Sequence, residues 1–246
     1  MINVWGMTDT GLVRKENQDA YAVKRTQDSD RVISVVCDGM GGPAGGCVAS
    51  HIAVDTFIEE LEKILTPDMS PEQLREASAY AASLANKAIR EAADHSEKYR
   101  DMGTTLVAAI SYEDGAVITN VGDSRAYHIT QDGITRVTRD HSLVESMVER
   151  GDITEEEARR HPNRNLITRA LGPDEVAECD GFICPLQAGE FLLLCTDGLI
   201  DTVTDQEMLF EVIHGDNVAT CLDRLLKIAK SRGASDNVTA VLLQKL

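Results

Sequence analysis

The sequence predicts an α+β fold: two antiparallel β-sheets packed face to face as a central sandwich, flanked by pairs of α-helices. Three observations predict it. Short apolar runs are joined by Glu113-Asp114-Gly115 and by Gln131-Asp132-Gly133, two hairpin signals in series. Serial antiparallel hairpins argue against a doubly wound parallel sheet. Long stretches with helical spacing stand apart from these strands, early and late in the chain, and would cover the outer faces of the sheets.

Taken in order, residues 2–8 and 20–25 read as strands around the loop Gly11 to Asp19. A strand ending at Asp38 follows. From Gly46 to Leu65, Ala49, Ile52, Ala53, Phe57, Leu61 and Ile64 fall at helical spacing. A second helix opens at Ser70-Pro71-Glu72-Gln73, where Ser70 suits the N-cap and Gln73 closes a capping box. Strands are expected at 104–111, 116–121, 125–130 and 134–138. Residues 142–170 are charged, carry two short helices at 142–150 and 154–160, and read as a subdomain inserted beside the sheet. Strands at 179–184 and 190–196, helices at 205–213 and 217–231, and a closing strand at 237–244 complete the chain. No Pro/Ser/Gly-rich linker divides it, so 1–246 is expected to be one domain with a flap at about 142–170.

Composition narrows the function. Lys and Arg total 24 against 41 Asp and Glu, a formal charge of −17. A surface that acidic repels nucleic acid and anionic lipid, so neither is an expected partner. No signal peptide opens the chain and no apolar run reaches membrane-spanning length. Six cysteines form no CxxC pair and several sit in apolar runs, as reduced thiols of a cytoplasmic protein do. A monomer is the default expectation.

The chain is organised around Val35-Val36-Cys37-Asp38-Gly39-Met40-Gly41-Gly42. An apolar run ends in an acid and a glycine cluster, reading as a buried strand that breaks into a turn, with Gly39 at positive φ. Phe191 to Gly198 repeats the pattern around Asp197, and Asp236 precedes the last apolar run. Three strand-edge carboxylates could converge on hard cations. Two rivals are weaker. Gly39-Met40-Gly41-Gly42-Pro43-Ala44 fits a dinucleotide fingerprint, but the acids about twenty residues on, Glu59 and Glu60, lie inside a helix rather than ending a strand. A nucleophile-based hydrolase lacks G-x-S-x-G.

Nine stretches together resemble the metal-dependent protein phosphatases of type 2C, in their small single-domain bacterial form. They are Arg14 to Asp19, Asp38 to Gly42, Met102 to Thr105, Val121 to Tyr127, Asp140 to Val144, His161 to Asn165, Ile167 to Gly172, Thr196 to Leu199 and Ser235 to Thr239. The resemblance implies hydrolysis of phosphoserine and phosphothreonine in proteins by a water or hydroxide bridging two Mn2+ or Mg2+ ions. It implies Asp38 as the bridging carboxylate and the Gly39 carbonyl as a further ligand, with Asp197 and Asp236 on the other ion. Asp123, with Asp197, is implied for a third, weaker ion, and Asp19 for ordering water. Arg14 is the implied phosphate-binding arginine. Substrate phosphoproteins and an opposing Ser/Thr kinase are the implied partners.

Two positions depart from the pattern. Gln18 stands where some relatives carry Glu. Met40 and Pro43 occupy the glycine loop where relatives often place a histidine. The proton for the leaving group then falls to water held by the ions, or to His141 or His161. A non-catalytic phosphoprotein-binding relative would be expected to lose metal aspartates, and Asp38, Asp197 and Asp236 are all present.

Overall fold

In the computed structural model, residues 1–26 and 31–246 are described, with backbone alone at 43 and 44. Two antiparallel sheets form the centre. The first holds β1 (Ile2–Asp9), β7 (Arg125–Thr130), β8 (Gly133–Arg136), β10 (Phe191–Cys195) and β11 (Val238–Lys245), in the order β1-β11-β10-β7-β8. The second holds β2 (Asp19–Arg25), β3 (Val32–Met40), β5 (Leu106–Tyr112), β6 (Gly115–Val121) and β9 (Asp180–Pro185), in the order β2-β3-β5-β6-β9. The two-residue β4 (Gly103–Thr104) pairs with the end of β3.

The central strands are apolar without alternation because both of their faces are covered. Along β3, Val32 and Val36 face the other sheet, packing with Val107, Leu194 and Val241. Ile33 and Val35 face outward, against α1 (Gly42–Ile64) and α2 (Pro71–Asp94) through Phe57, Leu61 and Leu74. The first sheet does the same. Leu192 points inward, and Leu193 packs outward with Met208 and Leu225 of α6 (Asp205–Ile213) and α7 (Cys221–Ser231). The α-β-β-α sandwich is therefore as the sequence predicts.

Several boundaries differ. α1 begins at Gly42, four residues before the expected start at Gly46, because a proline in its first turn is pre-set for helix. α7 begins at Cys221, after a 3-10 turn over Val218–Thr220 capped by the Asn217 side chain. β4 and the single turn α5 (Asp197–Ile200) were too short to leave a periodic signal. The capping boxes at Ser70, Thr154 and Thr204 all form.

Between β8 and β9 the chain leaves the sheet as two short helices, α3 (Leu143–Glu149) and α4 (Glu155–Arg159). Its neck is tied. Leu143 N donates to Leu166 O at 2.9 Å, and Thr168 N to His141 O at 2.7 Å. No helix among the described residues is long and apolar enough to cross a membrane, and all six cysteines are free.

Candidate active site

The site lies at one end of the sandwich, where strand ends from both sheets meet. Asp38 does not end its strand: β3 runs on to Met40. The β2–β3 register sets Asp38 directly opposite Asp19. Asp197 opens α5, two residues beyond β10, and its backbone carbonyl accepts from Asp201 N at 2.8 Å. Asp123 sits in the tight connection from β6 to β7, after Gly122 at φ +102°. Asp236 precedes β11.

Gly39 is not the left-handed turn residue the sequence led us to expect. Positive φ falls on Gly41 and Gly42 instead. Gly39 is required for closeness: a Cβ there would lie 2.0 Å from the Gly46 carbonyl oxygen, where α1 presses on β3. Gly11 meets both demands, with φ +77° and a hypothetical Cβ 2.2 Å from Asp236 O. It lets the Arg14 loop approach the Asp236 turn.

A cavity of about 570 Å³ gathers Arg14, Asp38, Gly39, Asp123, Asp197 and Asp236. Asp19 lies behind it, 3 % exposed. The Arg14 guanidinium donates to Asp236 at 2.7 Å. Thr196 Oγ1 donates to Asp19 Oδ2 at 2.9 Å. Asp38 N donates to Thr105 Oγ1 at 2.9 Å. The cavity is also lined by Asn165 and Ile167, from the inserted subdomain. A second cavity of about 850 Å³ runs between that subdomain and α5–α6, sharing Asp123, Asn165 and Asp197 with the first.

The electrostatics are those of crowded buried acids. Burial pushes Asp38 well above the usual carboxylate range, and the charges of Asp19, Asp197 and Asp123 push it further. Burial raises Asp19 to about 7, against hydroxyl contacts from Thr239 and Thr196. It raises Asp123 to about 8, with Asp197 and Asp140 adding. Asp197 rises to about 6 from burial, with the charges of Asp236 and Asp201 adding.

These residues fit divalent cations. Asp19 Oδ1 and Asp197 Oδ1 are buried without a hydrogen-bond partner, a costly state for carboxylate oxygens. Every donor in the set is a hard oxygen, suited to Mn2+ or Mg2+. Among the described residues no three His, Cys, Asp or Glu side chains are drawn together as a ready-made ligand cluster. Arg14, leaning on Asp236, supplies the positive charge on that side.

The two histidines do not enter the cleft. His141 is 6 % exposed, and its Nδ1 accepts the Gly122 N–H at 3.0 Å. His161 Nδ1 accepts from Asn163 N at 3.1 Å within the flap. Met40 lines the cleft, whereas the Pro43 side chain lies outside the described residues. Gln18 Nε2 donates to Gly42 O at 2.7 Å, holding the glycine loop. Arg125, an alternative partner for Asp123, forks onto Asp140 instead, at 2.6 to 3.1 Å.

The polar scaffold behind the acids has no motif of its own in the sequence. Thr105, Thr196 and Asn237 fall inside the stretches that resemble type 2C phosphatases, without a role implied for them there. Their signal was a polar residue beside an apolar strand end. Asn237 is the most connected: its Oδ1 accepts from Gln18 N at 2.8 Å, and its Nδ2 donates to Thr10 O and Glu16 O at 3.0 Å.

Known proteins carry the same architecture. The family profile for protein phosphatase 2C matches residues 13–242. The serine/threonine phosphatase stp of Listeria innocua is 36% identical over 238 residues, 97% of this chain and 94% of its own. The protein phosphatase PhpP of Streptococcus pneumoniae is 32% identical, covering 96% and 95%. The crystal structure of serine/threonine phosphatase Stp1 from Staphylococcus aureus superposes with a TM-score of 0.94 at 36% identity, covering 100% of this chain and 96% of that one. That of the Mycobacterium tuberculosis phosphatase PstP/Ppp gives 0.87 at 33%, covering 99% and 98%. With its sandwich, its acidic cleft and nearly its whole length in agreement, the chain belongs to the protein phosphatase 2C family.

Proposed function

We propose that this cleft is the catalytic centre of a Ser/Thr phosphoprotein phosphatase working with two or three Mn2+ or Mg2+ ions. The observation that carries the reading is the gathering of Asp38, Asp123, Asp197 and Asp236 with Arg14 around one cavity. When bound, such cations supply Lewis acidity, offsetting phosphate charge and activating water.

The chain's own residues then have distinct tasks. Asp38, facing both Asp19 and Asp197, is the central cation-holding acid, joined by the Gly39 carbonyl. Asp197 and Asp236 hold the neighbouring position, and Asp123 with Asp197 a third, looser one. Asp19, half of whose carboxylate has no protein partner, orders water behind Asp38. Arg14 has an exposed guanidinium at the mouth, free to leave Asp236 and fork onto phosphate oxygens. With the glycine-loop histidine replaced and His141 and His161 engaged elsewhere, no imidazole of the cleft donates the proton to the leaving alkoxide.

Residues 142–170 act as a flap that shapes the approach of a protein substrate. The substrates are phosphoproteins made by an opposing Ser/Thr kinase. The enzyme works as a cytoplasmic monomer, in keeping with six free cysteines. Turnover of a phosphothreonine peptide in chelator, and again after Mn2+ is restored, tests the reading. No turnover followed by rescue supports it, and full activity in chelator refutes it.

A further inference from the structure

The Asp140-His141 pair does not line the cleft and has no task in the proposed catalysis. It is nonetheless wired to the Asp123 turn from both ends. His141 and Gly122 exchange two hydrogen bonds: Gly122 N donates to His141 Nδ1 at 3.0 Å, and His141 N to Gly122 O at 2.9 Å. On the far side of Asp123, Arg125 forks onto Asp140 through Nε at 2.9 Å and Nη2 at 2.6 Å. Asp123 is thus bracketed by two residues that the same dipeptide grips.

The dipeptide is also the root of the flap. Its next residue, Ser142, bridges to Ile167, and His141 O accepts from Thr168 N at 2.7 Å. The imidazole Nε2 lies 3.2 Å from Asp180 on β9, with Arg169 Nη1 beside it at 3.2 Å. A ring that accepts an amide N–H at Nδ1 is neutral, with its proton on Nε2, where it can donate to Asp180. The turn is tied inward too. Ser124 Oγ pairs with Thr105 Oγ1 at 2.7 Å, and Thr105 Oγ1 accepts from Asp38 N. One continuous, largely buried chain of hydrogen bonds runs from flap root to Asp123 turn to Asp38.

We propose that His141 is a positioning residue: it clamps the Gly122–Asp123 turn to the flap root, so that flap placement and cation binding at Asp123 are coupled. A merely structural histidine would stabilise the fold without favouring this turn. The inference rests on Asp123 being a cation-holding acid, and the test separates the two.

The test compares His141→Phe, His141→Asn and His141→Gln in the full chain. Asn places an amide oxygen near the Nδ1 position and keeps the Gly122 contact. Gln reaches toward the Nε2 position and loses it. Phe keeps bulk and loses both. Amide hydrogen exchange of residues 122–125 and of α3 is measured without metal, and Mn2+ binding by calorimetry. We expect His141→Phe and His141→Gln to speed exchange at Gly122 and to weaken the loosest Mn2+ step, each about tenfold, as the loss of one buried hydrogen bond allows. His141→Asn should stay near wild type in both. If His141→Phe fails to fold, the Asn and Gln pair decides, and equal behaviour of those two overturns the clamp. Unchanged exchange at Gly122 in His141→Gln also overturns it. Asp123→Ala, run alongside, reports separately: an unaltered Mn2+ isotherm there removes the role given to Asp123, while the exchange data still judge the clamp.

Discussion

Asp19 and Asp38 stand directly opposite each other on β2 and β3, so two carboxyls leave one face of the sheet at the same point. Like charges opposed across strands destabilise the pairing, and burial makes this pair worse. The folded chain answers by holding protons: Asp19 rises to about 7, Asp123 to about 8, and Asp38 rises with them. The unfolded chain releases the same protons near pH 4. Stability from these protonated acids is therefore complete below about pH 4 and is lost as pH rises from there through the folded values of about 7 and 8. We expect the melting temperature in chelator to fall by at least about 4 °C between pH 5 and 8.5, roughly 1 kcal/mol or more for a domain of this size. Saturating Mn2+ should flatten the slope by substituting for the protons. A level profile in chelator would contradict this picture.

Replacing one acid of the pair should separate stability from activity. Asp38→Asn keeps the shape and removes the charge that Asp19, Asp197 and Asp123 all oppose. We expect the metal-free variant to melt higher than wild type at pH 8, with phosphopeptide turnover reduced to background. A variant both active and less stable would remove Asp38 from the centre of the site.

The sandwich was legible because its physical signals are local. Hairpin turns, capping boxes and apolar runs of strand length lie within a few residues of each other, as at Glu113-Asp114-Gly115 and Thr204-Asp205-Gln206-Glu207. The acids were legible because Asp38 and Asp197 interrupt apolar runs where core residues would otherwise continue. Register was not. That Asp19 faces Asp38 depends on the register in which β2 pairs with β3, and a slip of one residue would have turned them apart. The role of Gly39 was hidden for the same reason. Its missing Cβ makes room for Gly46 on a helix, not for a turn.

Asn237 shows what a single side chain can hold. It satisfies Gln18 N, Thr10 O and Glu16 O, and so pins the loop that carries Arg14 beside Asp236. It is 4 % exposed, so its removal leaves part-buried backbone groups unpaired, at about 1–3 kcal/mol each where water does not replace it. We expect Asn237→Ala to lower the melting temperature and, with the loop released, to raise KM for a phosphopeptide more than it lowers kcat. A variant with lowered stability and unchanged KM would show that the loop holds its place without Asn237.

Arg14 should behave in the opposite way. Its ion pair with Asp236 is at the surface, with the arginine side chain 53% exposed, and such pairs contribute about 0–1 kcal/mol. A charge-assisted contact to a bound phosphate is stronger, about 1.5–3 kcal/mol. We expect Arg14→Ala to melt within about 2 °C of wild type, as its small stability term allows. Its kcat/KM on a phosphothreonine peptide should fall about 10- to 100-fold. Unchanged kcat/KM would leave Arg14 a surface ion pair and nothing more.

The flap offers a test of what the second cavity is for. About 850 Å³ lies between α3–α4 and the α5–α6 connection, opening into the acidic cleft at Asn165 and Asp197. Arg164 spans it loosely, 3.6 Å from Asp201. A small aryl phosphate needs only the acids that the two cavities share, whereas a folded phosphoprotein must also present chain beside its phosphorylated residue. Contacts made there can supply binding energy to the protein substrate alone. The neck bonds at Leu143–Leu166 and His141–Thr168 lie at the root of the insert, so residues 150–164 can be replaced by a short Gly-Ser linker that leaves the neck intact. We expect that variant to lose about tenfold or more in kcat/KM on a phosphoprotein and to change less than about twofold on p-nitrophenyl phosphate. Equal losses on both substrates would mean that the flap supports the catalytic acids themselves, through the Asp140-His141 root, and not the choice of substrate.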